Sequence, residues 1–152
     1  MRPMLLWAAL YLSTCVFMEG FAYAMHRWVM HGPGWFLHMS HHRPRRGFFE
    51  KNDVFYLVFM IPSVTLLAFG LHGYPLVLPI GLGTATYGVL NWAFHDFLVH
   101  RRVRHTYTPT RGYLGRIVHS HYVHHRTHTK EGAVSFGFFY APDFRRARAA
   151  ER

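Results

Sequence analysis

Fourteen of the 152 residues are histidine, and their grouping points to metal-ion chemistry. His26 and His31 come first, then His38, His41 and His42, then His95 and His100, and last His121, His124 and His125. His38/His41/His42 and His121/His124/His125 both read H-x-x-H-H. Residues three and four apart share a helix face, so each triplet can aim three imidazoles at one centre. The two pairs read H-x-x-x-x-H, a spacing that a straight α-helix turns apart by well over a right angle. They need a helix end or a bend. Gly32, Pro33 and Gly34 supply an ending after His31, whereas no comparable breaker follows His100.

Ligand type does not select the metal, since neutral imidazole suits zinc, copper, iron and nickel. Ligand count is more informative, because a zinc site uses three or four protein ligands and ten candidates exceed it. Two metals with about five imidazoles each would leave an open position on each for a small molecule such as O2. This favours a binuclear oxygen-activating centre. Soluble di-iron bundles use glutamates and E-x-x-H pairs; no E-x-x-H occurs here, so the site would be almost entirely nitrogen. Cys15 stands alone, which excludes a disulfide framework and a thiolate-held iron–sulfur cluster. A histidine pH sensor is the competing reading, but ten packed imidazoles would repel one another on protonation and make a poor reversible switch. His72, His105 and His128 read as surface or locally satisfied residues.

The elements that position these residues are apolar helices. Half the chain is hydrophobic, yet its formal charge is +10, so the two properties must be segregated. Residues 4–25 form one span, with Glu19 its only charge; 54–71 and 74–94 form a hairpin of two more, divided by His72 and Gly73. A cleavable signal peptide is the alternative for the first run, but the run is long and lacks a small-x-small site. Gly81, Gly83 and Gly88 in the third span suit close helix packing in lipid, and Pro75 and Pro79 suit a kink. Arginine and lysine gather at 26–53 and after residue 95, while the 72–73 turn has none, which places both polar segments in the cytoplasm. The expectation is an all-α integral membrane protein: one domain with three to four transmembrane helices, a cytoplasmic histidine-rich cap at 26–53 and 95–142, and a basic tail at 143–152. All ten clustered histidines then lie on one face of the inner membrane. Nucleic acid is excluded as a partner, because the basic residues flank apolar spans and carry no stacking motif; anionic headgroups fit better.

The strings HRWVMHGPGWFLHMSHHRPRRGFFEKND at 26–53, HDFLVHRR at 95–102, RGYLGR at 111–116, HYVHH at 121–125 and EGAVSFGFFYAP at 131–142 resemble the bacterial β-carotene 3-hydroxylases, within the membrane fatty acid hydroxylase and sterol desaturase superfamily. The resemblance covers nearly the whole chain, and MHGPGW, FEKND and VSFGFFYAP carry it most specifically. It implies a non-haem di-iron monooxygenase that uses O2 and electrons from ferredoxin and its reductase to hydroxylate carbon 3 of β-ionone rings, turning β-carotene into β-cryptoxanthin and zeaxanthin. It also implies His26, His31, His38, His41, His42, His95, His100, His121, His124 and His125 as ligands of two iron ions. Zinc, which binds such nitrogen sites tightly, is an expected substitute in purified samples. His119 departs from the family pattern and stands as a candidate outer group. Val103 to Thr110 also departs from it, which affects partner or substrate contacts there rather than the metal site.

Asp96, Asp53 and Glu50 are candidates to orient imidazoles through the second ring nitrogen, with solvent-facing or capping roles the alternative. Glu19, seven residues before His26 and on about the same helix face, either stabilises the base of the site or, in protonated form, bonds to a neighbouring helix. Trp28, Trp35, Phe36, Phe48, Phe49, Phe136, Phe138 and Phe139 divide between interface anchors and a ring pocket, in an order the sequence does not sort. Arg43, Arg45, Arg46, Arg101 and Arg102 fit either positive-inside anchoring or docking of an acidic ferredoxin. Two rivals remain: another membrane oxygenase of the same superfamily acting on a sterol or fatty acid, and a non-catalytic metal carrier, whose ligands would have to be spread along a path through the bilayer.

Overall fold

The structure, a computed structural model, describes residues 2–44 and 47–142; Arg45, Arg46 and the basic tail at 143–152 lie outside the described residues. Among those described, the elements are helical and no strand occurs. Helix α1 (Arg2–Ala24) runs into a π-helical segment (Met25–Met30), and a short α2 (Trp35–His38) follows. A 3-10 turn (Lys51–Asp53) leads into α3 (Val54–Leu71); α4 (Leu78–Asn91) runs into a second π-helical segment (Trp92–Val99), and α5 (Gly112–His125) completes the set.

Helices α1 and α3 both pack on α4, and small residues permit it. A Cβ on Gly83 would lie 2.8 Å from Thr14 Cβ and 3.0 Å from the Tyr11 carbonyl. Trp7 donates its indole N–H to the Pro75 carbonyl at 3.1 Å, and Tyr11 its hydroxyl to Thr86 at 3.2 Å. These bonds fix the far ends of α1 and α4 against each other.

Burial is inverted relative to a water-soluble protein. The side chains most fully enclosed include His38, His124 and Asp96, while Leu5, Val16, Ile61, Val64 and Leu71 face outward. Two helical stretches, Pro3–Met30 and Lys51–Leu71, are long and apolar enough to cross a membrane, and only 11% and 17% of their apolar windows is buried inside the fold. A core helix of a soluble protein would be largely covered. The third apolar run begins later than its sequence suggests, because residues 74–77 turn and Pro79 opens the helix. It is 14 residues of α-helix followed by eight of π-helix.

The H-x-x-x-x-H spacing is resolved by backbone geometry rather than by a helix end. The His31 N–H donates to the His26 carbonyl at 3.0 Å, and the His100 N–H to the His95 carbonyl at 2.9 Å. These are i→i+5 bonds, which widen the turn so that residues five apart come over one another. Ring centroids consequently lie 5.3 Å apart for His26/His31 and 4.6 Å apart for His95/His100. The same device serves the pair that has no glycine–proline breaker after it.

Replacing Gly83 with Leu should destabilise the α1–α4 contact by about 1–3 kcal/mol through overpacking. In thermal unfolding of detergent-solubilised protein, its midpoint should fall. Gly88→Ala, where a Cβ meets nothing within 4 Å, should leave the midpoint unchanged or raise it.

Candidate metal centre

Ten histidines, four of them on α1 and α4 extensions and six on α2, the segment after it and α5, converge in two groups of five. His26, His31, His38, His42 and His124 form one; His41, His95, His100, His121 and His125 form the other. Within each group the ligand nitrogens all lie within 4.8 Å of one another. The groups abut, with the His42 ring stacked on His125 at 4.4 Å between centroids. Each H-x-x-H-H triplet is therefore split between two centres, not aimed at one. Adjacent residues such as His41 and His42, or His124 and His125, leave the backbone in different directions and so serve different groups, while His121 and His125, four apart on α5, share one.

In the first group every imidazole is held by its outer nitrogen. Nδ1–H of His26 donates to the Phe136 carbonyl at 2.9 Å, that of His31 to Lys130 at 3.0 Å, that of His42 to Thr127 at 2.8 Å and that of His124 to Val134 at 2.9 Å. His38 Nδ1 donates to the Asn52 side-chain oxygen at 2.7 Å. A carbonyl only accepts, so the proton of each neutral ring sits on Nδ1 and the Nε2 lone pair points inward. Yet His31 Nε2 lies 3.2 Å from His124 Nε2, and His38 Nε2 lies 3.2 Å from both His26 and His42 Nε2. Bare lone pairs at that distance repel.

Protonation does not relieve the conflict. Burial above all, with neighbouring imidazoles adding to it, pushes His38 down to about 2, His124 to about 3 and His42 to about 4, and it lowers His31 as well. The rings are neutral at physiological pH. A cation among the inward lone pairs removes the repulsion, so the donor set fits a nitrogen-bound metal ion. In the second group the same conflict holds for His41 and His95, whose Nδ1 atoms also face acceptors and whose Nε2 atoms are 3.0 Å apart, while the buried Nε2 of His125 has no hydrogen-bond partner and the His100 and His121 Nε2 atoms lie 2.8 Å apart. Burial and nearby imidazoles likewise hold His41, His100, His121 and His125 well below the ordinary histidine range.

The outer partners of the second group are different in kind. His41 Nδ1 donates to Glu50 at 2.9 Å and His95 Nδ1 to Asp96 at 3.0 Å. Asp96, fully buried, also takes the Tyr56 hydroxyl and lies 2.9 Å from the Arg102 Nε. Arg102 forks onto Asp53 at 2.9 and 2.7 Å, and Asp53 and Glu50 cap each other across the 3-10 turn. Glu50 and Asp96 thus touch metal-facing imidazoles, whereas Asp53 acts at one remove. Arg102 is buried in this network and so is no docking residue. His119 is half-buried on α5 outside both groups, and His72, His105 and His128 each pair with a backbone carbonyl elsewhere. Asn52 and the carbonyl acceptors of the 127–136 loop could not be foreseen, because backbone carbonyls leave no mark in residue type; FEKND and VSFGFFYAP were the only signals.

No protein-family profile matches the chain, and no solved structure matches it. Curated proteins do. It is 43% identical over 148 residues to a β-carotene hydroxylase of Pantoea ananas, covering 97% of this chain and 85% of that one. It is 42% identical over 131 residues to one from Paracoccus sp. (strain PC1), covering 86% and 81%. The chain belongs to the β-carotene hydroxylase family. The likeness extends to a plant member, β-carotene 3-hydroxylase 1, chloroplastic, of Arabidopsis thaliana, at 36% over 138 residues, 88% of this chain and 44% of that one.

In this hydroxylase Glu19 anchors the loop that pins the first group. Its Oε1 accepts the backbone N–H of Phe138, Phe139 and Tyr140 at 3.0, 3.0 and 2.9 Å, and its Oε2 accepts the Tyr87 hydroxyl at 2.8 Å. A Cβ on Gly137 would lie 2.9 Å from Glu19 Oε1, so glycine lets the loop settle on the carboxylate. Glu19 thus supports the loop beside the site and, through Tyr87, is tied to the neighbouring helix α4. The aromatics also sort: Trp28, Phe36, Phe48 and Phe49 are exposed. Trp35 and Phe136 pack against the histidines, Phe138 stacks on His26, and Phe139 packs on Tyr87 and Phe94.

Glu19→Leu would strand three N–H groups at about 1–3 kcal/mol each and should lower the metal content per chain. Glu19→Gln keeps an acceptor oxygen and should retain it. Equal metal content in all three proteins, measured by mass spectrometry of bound metal, would separate Glu19 from the centre. The pH response follows from the depressed histidines. The unfolded chain binds more protons than the folded one below about pH 6.5, so this stability is complete above that pH and is lost as pH falls toward the folded values of about 4 to 2. Chelated protein should show its unfolding midpoint dropping steadily from pH 7 to pH 4.5; a flat profile would contradict neutral, buried imidazoles.

Proposed function

We propose that this enzyme is a monooxygenase that places a hydroxyl on carbon 3 of the β-ionone rings of β-carotene, giving β-cryptoxanthin and then zeaxanthin, with two iron ions held by the ten converging histidines. The observation that carries the reading is the pair of abutting five-imidazole groups, all nitrogen and buried, in a chain whose relatives are named for carotene hydroxylation. When bound, the metal pair supplies the activation of O2 that breaks an unactivated ring C–H bond, a step beyond any acid–base side chain. Everything else falls to the protein.

An apolar cavity borders both groups. His26 and His38 of one and His95 of the other line it, together with Phe55, Phe59 and Phe138. Its polar walls are already engaged: the Tyr56 hydroxyl is given to Asp96, the Tyr87 hydroxyl to Glu19 and the Asn52 oxygen to His38. The cavity therefore presents carbon to its occupant, as a β-ionone ring requires, and excludes water from the reacting face. Since α3, α4 and the π-helical segment that continues α1 bound it, a ring enters from between the apolar helices with its polyene trailing into the bilayer. For His26, His31, His38, His41, His42, His95 and His124 an acceptor at Nδ1 keeps the ring in a single tautomer with Nε2 toward the metal positions.

The outward-facing apolar residues of α1 and α3 support a single membrane-embedded domain, crossed by these helices and by α4 with its π-helical extension, and capped by the histidine segments. Basic residues at 26–53 and after 95 favour a cytoplasmic cap on the inner membrane. Ferredoxin and its reductase are the proposed electron donors, with exposed Arg43 and Arg101 on the face they would approach.

The test is pigment analysis of β-carotene-producing bacteria that express the chain and supply ferredoxin. β-Cryptoxanthin and zeaxanthin should accumulate with the native chain and be absent when His124 and His125 are both changed to Ala. Unchanged β-carotene beside well-expressed native protein would overturn the substrate assignment and direct a lipid screen.

A further inference from the structure

The two histidine groups have nearly equal donor sets and unequal surroundings. Around the first group all five outer nitrogens meet neutral acceptors, four backbone carbonyls and the Asn52 amide. Around the second, two meet carboxylates, Glu50 and Asp96. Asp53 lies just beyond them, and one guanidinium, that of Arg102, faces Asp53 and Asp96 together. The Glu50, Asp96 and Arg102 side chains there are under a tenth exposed and Asp53 is 18% exposed, so the two carboxylate partners act through a low-dielectric surrounding.

We infer that the two metal positions are thermodynamically unequal: the position bounded by His41, His95, His100, His121 and His125 is the tight site, and the position bounded by His26, His31, His38, His42 and His124 is the labile one. This rests on the two-metal reading above. A carboxylate that accepts the outer N–H of an imidazole raises the basicity of its inner nitrogen, and the charge itself attracts the metal through a low-dielectric surrounding. Loss of such a partner typically costs about 10–100-fold in metal affinity. A carbonyl partner orients the ring equally well but adds no net charge.

The FEKND turn sets this asymmetry within four residues. Glu50 serves His41 of the second group, Asn52 serves His38 of the first, and Asp53 secures the Arg102 that neutralises part of Asp96. Asn52 is therefore the position at which the imbalance can be reversed with almost no change of shape. Asn52→Asp would give the first group a carboxylate partner of its own. Such a gain in affinity is one that a merely damaged fold could not produce.

The experiment loads purified, detergent-solubilised protein with Zn2+ and counts bound metal by mass spectrometry while a competing chelator is raised. Two equivalents per chain should load and leave in two separate steps. Glu50→Gln and Asp96→Asn, each keeping an acceptor oxygen, should move the later step to lower chelator by about 10–100-fold and leave the earlier step in place. Asn52→Asp should move the earlier step to higher chelator. Release of both equivalents in one step, or displacement of the earlier step by the Glu50 and Asp96 variants, or an unmoved first step in Asn52→Asp, would each overturn the inequality while the two-metal reading stands. Loading of fewer than two equivalents, seen before any chelator is added, would overturn both.

Discussion

The hydrogen bond from an imidazole Nδ1 to an oxygen outside the cluster is the interaction on which the fold depends. Each bond contributes about 1 kcal/mol by itself, but its larger effect is directional. With the proton committed outward, the inner nitrogen offers only a lone pair, and nitrogens that face each other at 3.0 to 3.2 Å cannot bond directly. The centre is thus pre-organised and self-repelling until a cation enters. A metal bound there would be coupled to folding through that repulsion.

This requirement explains an architecture in which polar groups lie inside and apolar ones outside. Ten imidazoles with an Asp–Arg–Asp network occupy the place where a soluble protein would keep leucine and isoleucine, and side chains such as Leu5 and Val16 of α1 and Ile61 and Val64 of α3 turn outward. In water such a surface would drive aggregation; in a bilayer it is the solvated face. What holds the helices together is close approach at glycine and interhelical hydrogen bonds, as Gly83 against Thr14 and Tyr11 against Thr86 illustrate.

The irregular loop that follows α5 is as much a part of the site as any helix. Its carbonyls at Thr127, Lys130, Val134 and Phe136 hold four rings, and Glu19, near the C-terminal end of α1, fixes its far end through three backbone N–H groups. A carboxylate inside an apolar helix is costly unless its acceptors are filled; here both oxygens are. One glutamate therefore couples α1 to a loop some 120 residues later.

The sequence alone determined the donor chemistry and the apolar helices, because histidine count, spacing and hydrophobic runs are properties of residue type. It also singled out Glu19, Glu50 and Asp96, since a carboxylate in such places needs a partner. Tertiary structure alone decided how the ten rings divide, since an H-x-x-H-H triplet can serve one centre or two until its neighbours fix the ring directions. It decided too that π-helical turns, not the glycine–proline ending, bring His26 over His31 and His95 over His100: an i→i+5 bond is a property of backbone path, and residue type does not encode it. Arg102, read as a surface cation, became the buried link between Asp53 and Asp96 for a similar reason, because a long charged side chain finds its partners only when distant segments meet.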